Sequence, residues 1–272
     1  MQGRLSCVMD IGEQMLLCGA EVHRVEDSME RMCKALGAER IDVFSITSSM
    51  VVTISMGNGE QYTQTRRING GSTDMERLHR LNALSRRICS QTMTEDEMRE
   101  AYLECVQVKS YSIWLICLSY GIIAGAFTAF FGGTVRDIVL SPFIGMIISV
   151  ITYFAERVDA NKIFVKFICS FLVTAFAFLF YKIKWIANVD MVIIGNIMVL
   201  IPGIGLTNAI RDLFVGDSIA GLLRTVEAIL LALAIGAGYF LFVWRNSMDY
   251  CTPDFPVHHQ LPEPTHLCPS SW

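Results

Sequence analysis

Apolar residues recur at helical spacing over residues 4–18 and again over 21–36, with a break near Gly19 and a stop at Gly37. The pattern then shortens. Residues 41–47 and 49–56 are rich in β-branched side chains, Gly57-Asn58-Gly59 supplies a turn, and residues 61–67 read as a returning strand. A helix is predicted over about 72–89, with Asp74 and Glu76 in its first turns, where negative charge meets the positive end of the helix dipole. Thr94 with Glu97 matches a capping box and opens a further helix running towards Lys109. Residues 1–109 thus read as a small α+β domain, with helices packed on a short antiparallel sheet.

Beyond residue 110 the alternation gives way to long apolar runs at about 112–131, 138–154, 163–181, 191–210 and 219–244. A helix needs roughly 20 apolar residues to cross the ~30 Å hydrocarbon layer. The second run is the shortest and contains Pro142, which makes it the weakest span. Buried helices of a soluble protein are the bland alternative, but five in succession argue against it. The predicted fold class is an α-helical membrane protein: a small α+β cytosolic N-terminal domain (1–109), a five-helix transmembrane domain (110–245) and a disordered tail (246–272).

Charge supports that division. Residues 1–109 carry thirteen basic and sixteen acidic side chains, whereas the other 163 residues carry nine and ten. The net charge of −4 and the lack of a long basic run disfavour nucleic acid as a partner. The cysteines show no metal-ligand or CxxC spacing and read as small hydrophobes in a reducing compartment. Basic residues in the loops are almost evenly shared between the two sides: Lys109, Arg157, Lys162 and Arg211 against Arg136, Lys182, Lys184 and Arg245. Orientation therefore rests on the N-terminal segment, where Arg4, Asp10 and Glu13 interrupt any signal-like apolar core. The expectation is a cytosolic N-terminal domain and an external C-terminus.

Candidate chemistry concentrates between Gly195 and Leu231. Pro202 removes a backbone donor and clashes with the preceding turn, so the fourth membrane helix should kink or break there, and Gly203 and Gly205 ease unwinding. Non-helical backbone at membrane depth is tolerated where it faces protein or a watery cavity. The restarted half-helix is expected near Thr207-Asn208, its free N–H groups and positive dipole end suited to a carboxylate. Asn196 lies upstream of the break, and Thr207, Asn208, Arg211, Asp212, Asp217, Arg224 and Glu227 lie downstream. Arg224 and Glu227 are three apart and can meet on one helix face. Charged groups in a span usually face a cavity and pair with one another. Arg211, Asp212 and Asp217 fit a cytosolic loop equally well, whereas Glu227 is the best candidate for a proton-carrying or substrate-coupled carboxylate.

In the N-terminal domain the run Gly19-Ala20-Glu21-Val22-His23-Arg24-Val25-Glu26-Asp27 is dense in charge, most of it explained by pairs such as Glu21–Arg24 and Asp27–Arg31. Thr65-Arg66-Arg67 could meet an anion but is more often a solvated turn. His23 and His79 lack ligand-spaced neighbours, so no metal and no cofactor are expected. No GxSxG, Walker A or HExxH pattern occurs, and an enzyme is not expected. The proline-rich tail holds Cys251 and Cys268, which could pair if outside the cell, and His258, His259 and His266, for which metal binding ranks low.

Three stretches carry a resemblance: GAEVHRVEDSM (Gly19–Met29), the Thr65-Arg66 pair after a strand hairpin, and IPGIGLTNAIRDLFVGDSIAGLLRTVEA (Ile201–Ala228). Over about residues 4–244 the chain resembles the threonine/serine exporter family (ThrE-like), and in length the larger half of a split two-component exporter. The resemblance implies a cytosolic domain followed by about five membrane helices. It also implies a small second membrane subunit, and secondary export of threonine and serine or of a dicarboxylate such as succinate, driven by protons across the cytoplasmic (inner) membrane. The family motif falls on Pro202, Gly203, Asn208, Asp212, Gly216, Asp217, Gly221 and Arg224, and in the N-terminal domain on Gly19, Glu21, Arg24, Glu26, Asp27, Thr65 and Arg66. The expected partners are a small-molecule substrate, membrane lipid and that second subunit, in an oligomer. The tail beyond Arg245 departs from the pattern. The alternative function is a membrane-anchored metabolite sensor or regulatory subunit; an intramembrane enzyme lacks a recognisable nucleophile–base pair.

Overall fold

The computed structural model describes residues 1–71, 73–107, 111–158 and 160–249, the side chains of 247–249 excepted. Its N-terminal part runs α1 (Gln2–Leu17), α2 (Val22–Ala35), β1 (Ala38–Ile46), β2 (Ser49–Met56), β3 (Gln61–Arg67), α3 (Met75–Ser90) and α4 (Glu95–Val106). The three strands form an antiparallel meander with β2 in the middle, pairing Val43 with Val52 and Thr53 with Thr63. Alternation along β2 buries Met50, Val52 and Ile54 on the helix-facing side. They meet Leu5, Met9, Met29, Met32, Leu81 and Met98 in one core. Unbranched methionines suit the uneven gap between helices and a short twisted sheet.

Local chemistry sets the ends of these elements. Asp74 stands outside α3 as its N-cap, its carboxylate accepting from the Arg77 N–H at 3.0 Å, so the helix starts at Met75 and not at residue 72. The Thr94–Glu97 capping box forms as expected. The helix it opens stops at Val106, short of Lys109, which lies outside the described residues.

The second half comprises α5 (Ile113–Phe130), α6 (Val135–Arg157), α7 (Lys162–Lys182), α8 (Val189–Leu200), α9 (Gly203–Val215) and α10 (Ser218–Asp249). Helices α5, α6, α7 and α10 are each long and apolar enough to span a bilayer; α8 and α9 make a fifth span if the bent pair counts as one. Their outward faces carry exposed apolar side chains, among them Trp114, Ile122, Phe130, Phe143, Leu233 and Phe240, as expected of helices solvated by lipid. The span expected to be weakest is α6, which has 23 residues and absorbs Pro142. It extends because Thr134 and Asp137 form a capping box ahead of the apolar run. Asp137, fully buried, also accepts from the backbone N–H groups of Ala187 at 2.8 Å and Asn188 at 3.4 Å, tying the loop before α8 to the start of α6.

Close helix contacts rest on small residues. A Cβ added at Gly195 of α8 would lie 2.2 Å from Thr128 Oγ1 on α5, and one at Gly238 of α10 would lie 2.4 Å from the Phe167 carbonyl on α7. Helix α9 ends in a left-handed Gly216 (φ 109°) and turns back into α10. This α9–α10 hairpin docks on the N-terminal part, where Ala220 joins the methionine-rich core. The tail expected from residue 246 begins as a continuation of α10 to Asp249; the remainder, with its cysteines and histidines, lies outside the described residues.

Candidate functional site

The fourth apolar run is two helices, not one kinked helix. Helix α8 ends at Leu200, Ile201 is extended, and α9 leaves at 54° to α8. Pro202 is the N-cap of α9, which starts at Gly203 and not near Thr207-Asn208. The reason is local: Pro202 has no N–H to leave unpaired at the break, the Gly203 N–H turns back to the Ile201 carbonyl at 2.9 Å, and the Pro202 carbonyl accepts from Leu206 at 3.0 Å and begins the new ladder. The first-turn N–H groups of Ile204 and Gly205 have no intrahelical acceptor and form the positive end of α9. Thr207 and Asn208 belong to the second turn. The Thr207 hydroxyl donates back to the Gly203 carbonyl at 2.9 Å, whereas Asn208 reaches forward.

A cavity of 560 Å³ opens at this break. One wall is the break at Ile201 and Pro202 with the first turn of α9 and Asn208; a second is the α10 face bearing Arg224, Glu227 and Leu231. Tyr120 of α5 and Lys162 of α7 contribute a third, and the N-terminal loops at Gly19 and Gly70–Gly71 close the fourth. Three sources of positive potential therefore converge, the α9 terminus, Lys162 and Arg224, with one carboxylate, Glu227. Such a lining suits a small anion or zwitterion.

Charged groups downstream of the break form the joint between the two halves. Arg224, on the second turn of α10, lies 3.3 Å from Asp212 and donates to the Ala20 carbonyl at 2.8 Å. Asp212 is 1% exposed and its carboxylate also accepts from the Val22 N–H, so a residue of α9 caps α2. Asn208 donates to the Gly19 carbonyl at 3.2 Å, and Arg211 pairs with Glu21 at 2.9 Å. The expected Glu21–Arg24 pair is replaced by this one, because Glu21 is the N-cap of α2 and its side chain points away from the helix. Arg224 likewise turns to Asp212 and not to Glu227. Asp217, in the hairpin turn, lies 3.9 Å from His23. Behind it Glu26 accepts from the Ser45 N–H at 2.6 Å; burial pushes its carboxyl above the usual range, the Ser45 N–H pulls it back and Asp217 pushes it further up. The two motifs singled out in the sequence thus face each other.

The other candidates lie apart from the cavity. Asn196, 1% exposed between α5, α6 and α8, donates to Ser141 at 2.8 Å, and Thr128 donates to the same hydroxyl at 2.7 Å. Thr65 is exposed on β3, while Arg66 points inward to Ser6 at 2.9 Å and Asp10 at 3.3 Å, bracing the sheet against α1. Asp27 pairs with Arg31 at 3.0 Å, as expected, and Arg24 is exposed. Sequence reasoning missed Lys162 and Tyr120 as cavity residues. Lys162 offered a signal, because a cation in the first turn of a helix opposes the helix dipole and calls for some other partner.

Comparison with known proteins agrees with this architecture. The sequence profile described as "Putative threonine/serine exporter" (ThrE) matches residues 6–245. The protein named "Probable succinate transporter subunit YjjP" from Escherichia coli K12 is 23% identical over 233 residues, covering 85% of this chain and 90% of that protein. Its namesake from Klebsiella aerogenes matches with the same identity and coverage. No solved structure matches the chain. The profile covers both the N-terminal α+β part and all the apolar helices, and the chain accordingly belongs to the threonine/serine exporter family of multi-pass membrane proteins.

Proposed function

We propose that this protein is the larger subunit of a secondary-active exporter that moves a small carboxylate-bearing metabolite out of the cell. The cargo is threonine or serine, or a dicarboxylate such as succinate, the compound in the relatives' names. The N-terminal part, residues 1–109, is a cytosolic domain. The helices up to residue 245 cross the cytoplasmic membrane, and a small second membrane subunit completes the path. The single observation behind this reading is the cavity at the helix break, where the α9 terminus, Asn208, Arg224 and Lys162 meet Glu227. A cargo carboxylate lies at the α9 terminus, and Glu227 carries the coupling proton, facing the cavity from the second turn beyond the docked end of α10.

The test is efflux from vesicles holding both subunits, with an imposed proton gradient. Glu227→Gln is expected to leave insertion intact and to abolish gradient-driven efflux of succinate or threonine. Gradient-driven efflux at the wild-type rate would remove Glu227 from the mechanism. A second reading, a membrane-anchored sensor, draws on the docking of the N-terminal part over the cavity. It predicts that cargo binds and alters that docking with no flux in any subunit combination.

A further inference from the structure

Three side chains of the membrane helices that line the cavity are strong donors, and all three are engaged in the same manner. Asn208 Nδ2 donates to the Gly19 carbonyl, Arg224 Nη2 to the Ala20 carbonyl and Lys162 Nζ to the Gly71 carbonyl. They come from α9, α10 and α7, yet every acceptor is a neutral backbone oxygen of the N-terminal part. The acceptors belong to a single lip. Gly71 packs on the end of α1, where an added Cβ would lie 3.1 Å from the Leu17 carbonyl, and the Asp74 N–H donates to the Cys18 carbonyl at 3.2 Å. Both loops use left-handed backbone, with φ of 88° at Gly19 and 139° at Gly71, which lets their carbonyls point into the cavity.

We propose that Lys162, Asn208 and Arg224 form one carboxylate-binding cluster, and that the lip carbonyls are built-in placeholders which an arriving carboxylate displaces, opening the lip. This rests on the exporter reading above and adds to it where the cargo anion binds and what its binding moves. The direction of exchange follows from charge. A carboxylate brings a full negative charge to the ammonium and guanidinium groups, adding a Coulombic attraction that a neutral carbonyl lacks. The released Gly19, Ala20 and Gly71 oxygens turn to water. Asp212 is a positioning residue here: it holds Nη1 of Arg224 at 3.3 Å while Nη2 exchanges acceptors.

The chain contains its own reporter. Cys18, beside Gly19, is 2% exposed, and burial pushes its thiol up to about 11, so it reacts slowly while the lip is shut. Cys7 and Cys33, buried in the same core, serve as internal controls. The experiment is peptide-resolved maleimide labelling of the purified full chain, with Cys89 and Cys105 replaced by serine, alone and with succinate or threonine. Succinate or threonine is expected to accelerate labelling of Cys18 several-fold without changing Cys7 or Cys33. Lys162→Ala is expected to raise the basal Cys18 rate and to remove most of the ligand response. An unchanged basal rate in Lys162→Ala overturns the latch. A Cys18 rate indifferent to both carboxylates, in protein that supports their flux in vesicles, overturns the proposal and leaves the exporter reading standing. Absence of flux for both, with labelling still accelerated, overturns export and retains the binding cluster.

Discussion

Asp212 shows how far a residue's role depends on what lies opposite it. In sequence it is one acid among several after a membrane break; in the fold it neutralises Arg224 and caps α2 from another part of the chain. Both partners are largely enclosed, at 1% and 14% side-chain exposure. Removing one member of such a pair leaves the other buried and uncompensated, at a cost of about 3–5 kcal/mol. Asp212→Ala is therefore expected to lower the midpoint of thermal unfolding in detergent, with Asp212→Asn milder because its amide oxygen can still accept from Val22. Equal midpoints for wild type and Asp212→Ala would show that the joint contributes nothing to stability. Arg66 teaches the same lesson in reverse: a candidate anion site by position, it is spent on Ser6 and Asp10 within the N-terminal part.

For elements, the decisive object is the pair α8–α9. Gly203 has open space where a Cβ would go, and at Gly205 the nearest atom is Pro202 Cβ at 3.9 Å, so alanine fits at both positions without collision. Each Gly→Ala change favours helix by about 1 kcal/mol and Pro→Ala by about 3. The triple variant Pro202→Ala, Gly203→Ala, Gly205→Ala is expected to run α8 into α9, remove the free first-turn N–H groups and reduce cargo flux severely, while the chain still inserts. Full flux from a chain of increased helicity would show that the bend is dispensable. This break was legible in the sequence because proline and glycine act through local backbone chemistry. Its restart point was not, being set by the tight turn at Pro202, where the Gly203 N–H meets the Ile201 carbonyl and the helical ladder resumes at once. The extent of α6 was also hidden: Asp137 lies just outside the apolar run, and buried backbone donors from 50 residues away satisfy it. Strand pairing and the Thr94–Glu97 capping box, both short-range, were readable to within a few residues. The meeting of Asn208 with Gly19 joins positions 189 apart and leaves no periodicity to read.

Across the whole molecule, the joint gives stability a pH dependence. Glu26 sits behind the α9–α10 turn with its carboxyl raised, first by burial and then by Asp217. Below the ordinary glutamate value of 4.5 it is protonated in both folded and unfolded chains and costs nothing. As pH rises through the ordinary and then the raised value, the folded state must give up a proton it holds more tightly, and this contribution to stability falls. Glu26→Gln, which keeps an oxygen for the Ser45 N–H, is expected to flatten that decline in pH-dependent unfolding; an unaltered slope would show that other groups set it. The same joint has a mechanical consequence through α10. From Arg224 to Gly238 the helix spans about 21 Å, and from Gly238 to Asp249 about 16 Å more. Between these arms it is pinned on α7, where Gly238 lies against the Phe167 carbonyl and Ser170 donates to the Ile235 carbonyl at 2.7 Å. A rigid rod held near its middle is a see-saw. Displacing the Arg224 end tilts the Asp249 end the opposite way by a comparable distance, so a movement at the cavity is carried along α10 to its far end.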